Sequence, residues 1–380
     1  MKVAIIEPNL VDYTGHFYSF VSELKRGFEA LGDRVELFMP RNSTVSLVGK
    51  RILPAKKPYP GRPLKAYLKL ILDIFRFRTV LRKIERNFDL LVFTTGDDPA
   101  LLGGAGFLNT KKPLIFYFHT LELFLFPMRK SLRLLLTLTR FRKKQIFFLS
   151  PVLTEKGSTQ NPLKGISLIE EAPIPLLPIN RSKDGGGANN FFLGYLGDAR
   201  KEKNFQRLIE LIDHSPENTG FIVQCNLPQQ GYYEPEIKEA VEHVRGLQNN
   251  RLLIFDKPLS GEEYHKLLKM SSIVWCLYDA SAYKNRVSGI LLEAWSLGKP
   301  VITTAGTWMA KQVEKYGGGI VLEGLEIDNI LKAIETIKTN YQKFSAEALN
   351  AGKALYENNN GVALAKFIKQ ILISENKREK

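Results

Sequence analysis

The sequence predicts two α/β domains, each built on a parallel β-sheet of the Rossmann-like kind. Short apolar runs of strand length alternate with amphipathic runs of helical length along most of the chain. A chain of 380 residues also exceeds the size at which a single hydrophobic core stops growing. A stretch rich in proline and glycine, residues 173–190, is typical of an interdomain linker. We therefore expect a first domain over residues 1–178, a linker over 179–190 and a second domain over 191–360.

The first domain begins with a β-α-β pattern. Residues 3–7 predict a strand, residues 15–31 a helix with one apolar face that stops at Gly32, and residues 35–38 the next strand. This order implies a parallel sheet with right-handed crossovers. Residues 41–63 predict a long polar loop. The remaining strands are expected at residues 90–94, 114–118 and 146–149.

The same alternation continues after the linker. Strands are expected at residues 191–196, 221–225, 252–255, 273–277, 301–303 and 319–322, with helices between them. Three further helical patterns follow Glu326.

The most informative motif runs from Tyr283 to Thr304. It combines a Ser-Gly turn, an amphipathic helix bearing Glu293, a glycine stop and a buried strand. The free N–H groups at such a helix start, here Ser288, Gly289 and Ile290, suit a phosphate. Glu293, one turn further on, can accept hydrogen bonds from a sugar diol. Taken alone, however, the stretch also fits the ordinary start and end of a helix in an α/β protein.

A second motif covers residues 191–205. An apolar strand ends in glycines, and the cations Arg200, Lys201 and Lys203 precede an amphipathic helix. Arginine and lysine at such a turn are suited to neutralise a diphosphate. The alternative is a solvated, charged helix start, which we prefer for Lys201.

Together these two segments resemble the nucleotide-binding domain of GT-B glycosyltransferases, specifically the retaining family 4 of group 1. The resemblance implies that Arg200 and Lys203 hold the donor diphosphate and that Glu293 binds the ribose hydroxyls. It implies metal-free transfer with retention from a nucleotide-diphosphate sugar. The chain departs from the family at residue 285, where Asn285 stands in place of the first Glu, and at Asp198, where an Arg usually follows the glycine.

These departures concern the donor sugar more than the fold. Asn285 can hydrogen-bond a sugar hydroxyl but supplies no negative charge, while the adjacent Arg286 adds a cation near the expected phosphates. The loop around Leu259 is the expected base-recognition segment. No D-x-D triplet follows a strand and no His/Cys cluster has zinc spacing, so we expect no metal and no other cofactor.

The resemblance also implies a GT-B architecture, in which two Rossmann-like domains face each other across a cleft and the last helix crosses back to the first domain. Residues 361–380 would form that helix and a frayed tail. In the first domain the family has a glycine-bearing loop near the donor phosphates, here Gly15 with His16. The family also often places, after one strand of this domain, a histidine that contacts the transferred sugar. Here His119 stands in that position.

Each of these positions has a structural alternative. His16 can be an ordinary helix-start residue, and His119 can be a packed core residue. Glu122 and Asp97 are acceptor-side candidates because each follows a strand. For Asp97 with Asp98 we favour a helix N-cap before the run PALLGG.

Charge is distributed unevenly along the chain. Residues 1–180 hold 28 Lys and Arg against 15 Asp and Glu, whereas the remaining 200 residues hold 26 against 24. The excess lies in two cationic, Leu-rich segments, one from Arg62 to Arg86 and one from Phe124 to Lys144. Both patterns are typical of helices at an anionic membrane surface, and equally of helices that pack on a sheet. For the second segment we favour the membrane. No nucleic-acid-binding signature accompanies the charge, so we expect no nucleic-acid partner.

The cysteines and the N-terminal residues indicate the cellular compartment. Cys225 and Cys276 lie in apolar runs and are expected to be buried thiols in a reducing environment. A strand pattern directly after Met1 leaves no visible signal peptide, and no apolar run has the length of a membrane span. We expect a cytoplasmic protein, and its cationic segments allow a peripheral location on the inner face of the membrane.

The sequence therefore supports a hexosyltransferase-type glycosyltransferase that uses a nucleotide-sugar donor and a glycan or lipid-linked acceptor, in polysaccharide or glycolipid biosynthesis. A related enzyme alternative is an epimerase or phosphorylase of the same fold. From a different class, a non-catalytic GT-B scaffold that binds a nucleotide-sugar or a membrane partner is an alternative that Asn285 leaves open.

Overall fold

The chain divides into two units, each with its own parallel sheet. The computed structural model describes residues 1–12, 17–56, 63–96, 98–119, 145–152, 169–176, 191–216, 219–227, 234–247 and 250–378. The first unit comprises Met1–Leu177 and Asn358–Lys380, and the second comprises Pro178–Glu357.

The first unit has a seven-stranded parallel sheet in the order β3-β2-β1-β4-β5-β6-β7. Its central strands are continuous apolar runs, which suits strands covered on both faces. The strands are β1 (Lys2–Ile6), β2 (Arg34–Pro40), β3 (Lys50–Leu53), β4 (Leu90–Phe93), β5 (Leu114–Tyr117), β6 (Ile146–Ser150) and β7 (Ile169–Glu171).

Helices cover both faces of this sheet. One core cluster packs the sheet against α2 (Pro63–Glu85) and α3 (Pro99–Gly106). A second cluster packs the other face against α1 (Phe17–Ala30) and the C-terminal helix α12 (Gly361–Arg378). The expectation that the last helix returns to the first domain is thus confirmed.

Close backbone contact holds α12 against α1. A Cβ atom on Gly27 would lie 1.9 Å from the carbonyl oxygen of Gly361, so the two helices touch where neither carries a side chain. The Lys369 ammonium also lies 2.7 Å from Asp33, whose carboxylate accepts a hydrogen bond from the N-terminal amine. These cations lower the pKa of Asp33 against the opposing effect of burial.

The expected polar loop over residues 41–63 is wrong in one respect, because β3 lies within it. This strand has only four residues and pairs in parallel with one edge of β2. Its first two residues are Lys50 and Arg51, so no apolar run marked it in the sequence. Charged side chains on a short edge strand discourage pairing with further chains.

The second unit has a six-stranded parallel sheet in the order β10-β9-β8-β11-β12-β13. Its strands are β8 (Phe192–Tyr195), β9 (Gly220–Gln224), β10 (Leu252–Phe255), β11 (Ile273–Cys276), β12 (Val301–Thr304) and β13 (Gly319–Leu322). All six agree with the expected strands within one residue. Cys225 and Cys276 are buried free thiols, as expected.

Helices lie between these strands, and two more follow β13. They are α4 (Phe205–His214), α5 (Pro235–Gly246), α6 (Gly261–Met270), α7 (Ala280–Tyr283), α8 (Gly289–Ser296), α9 (Trp308–Tyr316), α10 (Ile327–Thr339) and α11 (Tyr341–Asn358). Among the described residues, no helix is both long enough and apolar enough to cross a bilayer. The segment from Phe124 to Lys144 lies outside the described residues.

Candidate functional site

The strand order reverses beside the first strand of each sheet. In the second unit β9 lies on one side of β8 and β11 on the other, so the crossover connections from β8 and β11 leave in opposite directions. Parallel sheets bind ligands at the carboxyl ends of the strands flanking this point. The loops after β8 and β11 are the two segments that the sequence singled out.

The loop after β8 makes a sharp turn at Gly197, whose φ of 121° is accessible to glycine and strained for other residues. A Cβ atom there would lie 2.7 Å from the ammonium nitrogen of Lys203. The Gly197 amide donates to Gln224 at 2.8 Å, which anchors the turn on β9. Glycine at this position therefore makes room for Lys203.

Two carboxylates hold the arginines of the site. Arg200 donates to Asp198 at 2.8 Å and lies 3.6 Å from Glu202. Arg286, from the loop after β11, donates to the same Glu202 oxygen at 3.1 Å. Asp198 also accepts from Asn226 at 2.6 Å. Glu202 thereby joins the cations of the two loops into one network.

The third cation of the site, Lys203, is half-buried like the two arginines. Burial and the neighbouring Arg200 charge lower its pKa to about 8. Its ammonium nitrogen lies 5.9 Å from the centre of the Tyr278 ring. Within the described part of the chain, no carboxylate oxygen approaches this nitrogen within 4.0 Å. Lys203 is thus the cation of the site whose charge is least neutralised by the protein.

Backbone contacts fix the two loops to each other. The Asn204 side chain donates to the carbonyl of Leu277 at 2.8 Å, and the Trp275 indole donates to the carbonyl of Lys203 at 3.0 Å. The Asp279 amide donates to the carbonyl of Glu202 at 2.9 Å. The cations are consequently held by a rigid framework.

The loop after β11 carries the predicted residues 285–290. Arg286 lies over the ring of Tyr283, with 5.1 Å between the guanidinium carbon and the ring centre. Asn285 is half-buried in the turn between α7 and α8. Ser288 occupies the N-cap position of α8, and its side chain makes no capping hydrogen bond. Gly289 is exposed and Ile290 is buried, so the amides that open α8 begin beside open space.

Glu293 lies one turn into α8 and has a partner that the sequence did not suggest. The Tyr264 hydroxyl, on α6, donates to one Glu293 carboxylate oxygen at 2.6 Å. Burial raises the pKa of Glu293 against this hydrogen bond. The bond fixes the orientation of the carboxylate and leaves its second oxygen available to a ligand.

Leu259 is half-buried and lies two residues before the start of α6. That helix opens with a capping box between Ser260 and Glu263, and Tyr264 is the next residue. The expected base-recognition residue is therefore separated from the partner of Glu293 by little more than one helical turn.

In the first unit, His119 follows β5 and packs against α1. Its ring meets Phe20 and Phe17 edge-on, with 4.9 Å and 6.0 Å between ring centres. It is also 5.4 Å from the ring of Tyr117. His119 therefore lies beside the N-terminal end of α1. Gly15 and His16, which directly precede α1, lie outside the described residues.

Asp98 is the N-cap of α3, as favoured from the sequence. Its carboxylate accepts from the amides of Ala100 and Leu101, each at 3.0 Å, and pairs with Lys56 at 2.8 Å. Asp97 and Glu122 lie outside the described residues.

A buried carboxylate that sequence reasoning did not single out lies at the carboxyl end of β1. Glu7 accepts from the hydroxyls of Thr94 and Thr95, at 2.7 Å and 2.6 Å, and from the amide of Asn9 at 2.7 Å. Burial raises its pKa to about 6. Glu7 thus ties the loop after β1 to the loop after β4. In the sequence, the position of Glu7 at the end of an apolar strand was the feature that could have identified it.

The described residues contain no group of three or more His, Cys, Asp or Glu side chains placed to hold a metal ion. The positive charge of the site comes from Arg200, Lys203 and Arg286, and from the exposed helix start at Gly289.

Two family models match different parts of the chain. A family model described as Glycosyl transferases group 1 matches residues 179–354, and one described as Glycosyltransferase Family 4 matches residues 19–151. The two matches together span most of the chain. A search of curated protein sequences found no significant match.

Solved structures share the fold over nearly the whole chain. Sucrose-phosphate synthase from Thermosynechococcus elongatus is 14% identical, covers 100% of both chains and has a TM-score of 0.66. Anabaena HepE, solved with UDP and glucose, is 17% identical with a TM-score of 0.66, over 98% of this chain and 100% of HepE. A putative UDP-N-acetylglucosamine 2-epimerase from Listeria monocytogenes is 17% identical with a TM-score of 0.57, over 99% and 97% of the two chains.

Proposed function

This chain belongs to the glycosyltransferases of group 1 and family 4 and has the GT-B fold, and from that premise we propose that it transfers a hexose from a nucleoside-diphosphate sugar to a hydroxyl of a glycan or lipid-linked acceptor. The observation that carries this proposal is the meeting of two loops at the carboxyl ends of β8 and β11, where Glu202 joins Arg200 to Arg286 and both arginines act electrostatically on Lys203. The UDP complex of HepE supports a nucleotide donor.

The donor would bind with its diphosphate against these cations and the start of α8, and with its ribose hydroxyls on Glu293. The bond between the sugar C1 and the diphosphate oxygen breaks while the acceptor hydroxyl oxygen bonds to C1. Lys203 and Arg200 stabilise the negative charge that develops on the departing diphosphate. The hydroxyl proton passes to a phosphate oxygen on the same face of the sugar, which gives retention. In this proposal the side chains supply the positive charge, and no metal takes part.

The carboxylate partners of the arginines, and the lack of one near Lys203 among the described residues, support separate roles for these cations. Arg200 and Arg286 each have a carboxylate partner and are held in place, which suits positioning. Lys203 has its charge largely unneutralised, which suits direct contact with phosphate. Asn285 is proposed to hydrogen-bond a donor-sugar hydroxyl, and Leu259 to contact the base. His119 is proposed to contact the transferred sugar.

The donor assignment is tested by thermal stabilisation with UDP, GDP, ADP and their sugars, in the presence of EDTA. We expect one nucleotide class to stabilise the wild type, by about 2.7 kcal/mol at a hundredfold excess over Kd. Glu293→Ala should abolish that stabilisation. Tyr264→Phe keeps the carboxylate but removes the hydroxyl that orients it, so it should retain only part.

Glu262→Ala is the control, because it removes an exposed carboxylate from the same helix as Tyr264. Stabilisation that survives Glu293→Ala in a folded protein would contradict the ribose assignment. Conversion of the donor to an epimer without an acceptor would identify an epimerase instead. Binding without turnover on any acceptor would identify a scaffold.

A further inference from the structure

Helix α2 carries an apolar stripe that the fold does not bury. Six large side chains at a spacing of three and four residues lie on one face, and their exposed fractions run from 40% to 72%: Leu64, Tyr67, Leu68, Ile71, Leu72 and Phe75. We call this face the α2 stripe. It is about 16 Å long at the rise of an α-helix, and Phe107, 43% exposed, extends it by stacking on Phe75.

The stripe is not the packing face of the helix. Another face of α2 buries Leu70, Ile74, Phe77, Leu81 and Ile84 in the core of the first unit. Helix α3 approaches that face through two glycines. A Cβ atom on Gly103 would lie 2.9 Å from Ile74, and one on Gly104 would lie 2.6 Å from Phe77. Because α2 is locked in this way, rotation of the helix cannot bury the stripe.

Cations accompany the stripe. Lys65, Arg76, Arg82 and Lys83 are exposed on the same helix. The one carboxylate between residues 63 and 84 is Asp73, which is 8% exposed and pairs with Lys69 and Arg76. With Asp73 paired and Glu85 half-buried at the last residue of α2, the exposed surface along the stripe is apolar and cationic.

Exposed apolar side chains together with cations fit one kind of binding partner better than the others. An exposed row of large apolar side chains marks an interaction surface. A second copy of the chain would oppose cation to cation. The segment from Phe124 to Lys144 would do the same, since it contains seven Lys and Arg and no Asp or Glu. Nucleic acid would use the cations but not the apolar row. An anionic lipid surface uses both.

We propose that the α2 stripe is a membrane-docking surface, on which the helix lies in the plane of an anionic bilayer. The apolar side chains enter the boundary between headgroups and acyl chains, and the lysines and arginines contact lipid phosphates. Docking is a property of the first unit and does not depend on the donor site. It would hold the enzyme at the surface where a lipid-linked acceptor is found.

The experiment is flotation of the full chain with vesicles of phosphatidylcholine, alone or mixed with phosphatidylglycerol, at low and high salt. Wild type should bind the mixed vesicles at low salt, bind less at high salt, and bind phosphatidylcholine weakly. The double variant Leu68→Gln/Leu72→Gln should bind mixed vesicles at least about tenfold more weakly. Both side chains are more than half exposed, so the variant should fold.

Val48→Gln is the matched control, because Val48 is 84% exposed in the same unit and lies outside the stripe. The charge variant Lys65→Gln/Lys83→Gln should weaken binding to mixed vesicles only. Unchanged binding of the stripe variant would overturn the proposal and assign the contact to another segment. Wild type that ignores mixed vesicles at low salt would also overturn it. Neither result bears on donor binding, which thermal stabilisation measures without lipid.

Discussion

Lys203→Ala is expected to lower the rate of sugar transfer by about 10²–10³-fold, as the loss of one preorganised hydrogen-bond donor to a developing oxyanion does in other enzymes. Lys203 has the least neutralised charge of the three cations, and Gly197 leaves the space that its ammonium occupies. Arg200 and Arg286 remain paired with carboxylates in the variant and so cannot take its place. Initial rates at saturating donor would measure the effect.

Lys201→Ala is the matched control. A short 3₁₀ turn, Lys201–Lys203, begins at Lys201, which is exposed, so its loss removes an equal charge without touching the site. We expect a change of no more than about twofold, because exposed charges are well screened. Equal losses in the two variants would show that overall charge, and not the position of Lys203, promotes the reaction.

Donor binding is expected to weaken as the pH rises from about 7 to about 9. The pKa of Lys203 is lowered to about 8, so its ammonium is charged below that pH and neutral above it. The bound diphosphate favours the charged form, and affinity should therefore fall by up to about tenfold per pH unit above 8. Titration calorimetry across this range, in one ionic strength, would measure the slope.

Lys203→Arg gives the contrasting result. Arginine stays charged throughout this range, so whatever affinity the variant has should be nearly independent of pH between 7 and 9. A wild-type affinity that does not change over this range would mean that Lys203 does not contact the donor. A slope that persists in Lys203→Arg would assign the titration to another group.

The largest stability effect is expected from Gly27→Ala in the first unit. Alanine normally favours a helix over glycine by about 0.5–1 kcal/mol. Here its Cβ would lie 1.9 Å from the carbonyl oxygen of Gly361, a backbone atom that no side-chain rotation can move. Separating α1 from α12 should cost about 3 kcal/mol or more and lower the Tm by roughly 6–12 °C. Differential scanning calorimetry would measure it.

Gly246→Ala provides the opposite case. Gly246 ends helix α5, and a Cβ there would meet nothing within 4 Å. We expect this variant to be neutral or slightly stabilised. A Gly27→Ala protein as stable as the wild type would contradict the packing of α12 on α1.

Local patterns determined the two sheets of this protein. Buried parallel strands are continuous apolar runs, and the helices between them have one apolar face, so the pattern within each segment was enough to place it. All six strands of the second sheet follow from the sequence, whereas the return of the last helix was implied by the resemblance to GT-B enzymes. β3 and β7 were not predicted, because an edge strand that begins Lys50-Arg51 and a strand of only three residues, Ile169–Glu171, have no apolar run to mark them.

The candidate site was likewise predicted only in part from local sequence patterns. The glycines and cations of residues 191–205 and 283–304 marked both loops, since phosphate binding requires these residue types close together along the chain. The bond between Tyr264 and Glu293 and the bridge from Glu202 to Arg286 join segments that are far apart in sequence, and no local pattern encodes such contacts.

Helix α2 shows most clearly what the sequence determined and what the tertiary structure decided. From the sequence, membrane contact and packing on the sheet were equally compatible with its cationic amphipathic pattern. By itself the sequence determined that α2 is an amphipathic helix and which residues share each face. Only the tertiary structure decided which apolar face is buried, because that choice depends on where the sheet and the glycines of α3 lie. Burial is a property of the neighbours of a side chain, and those neighbours come from distant parts of the chain.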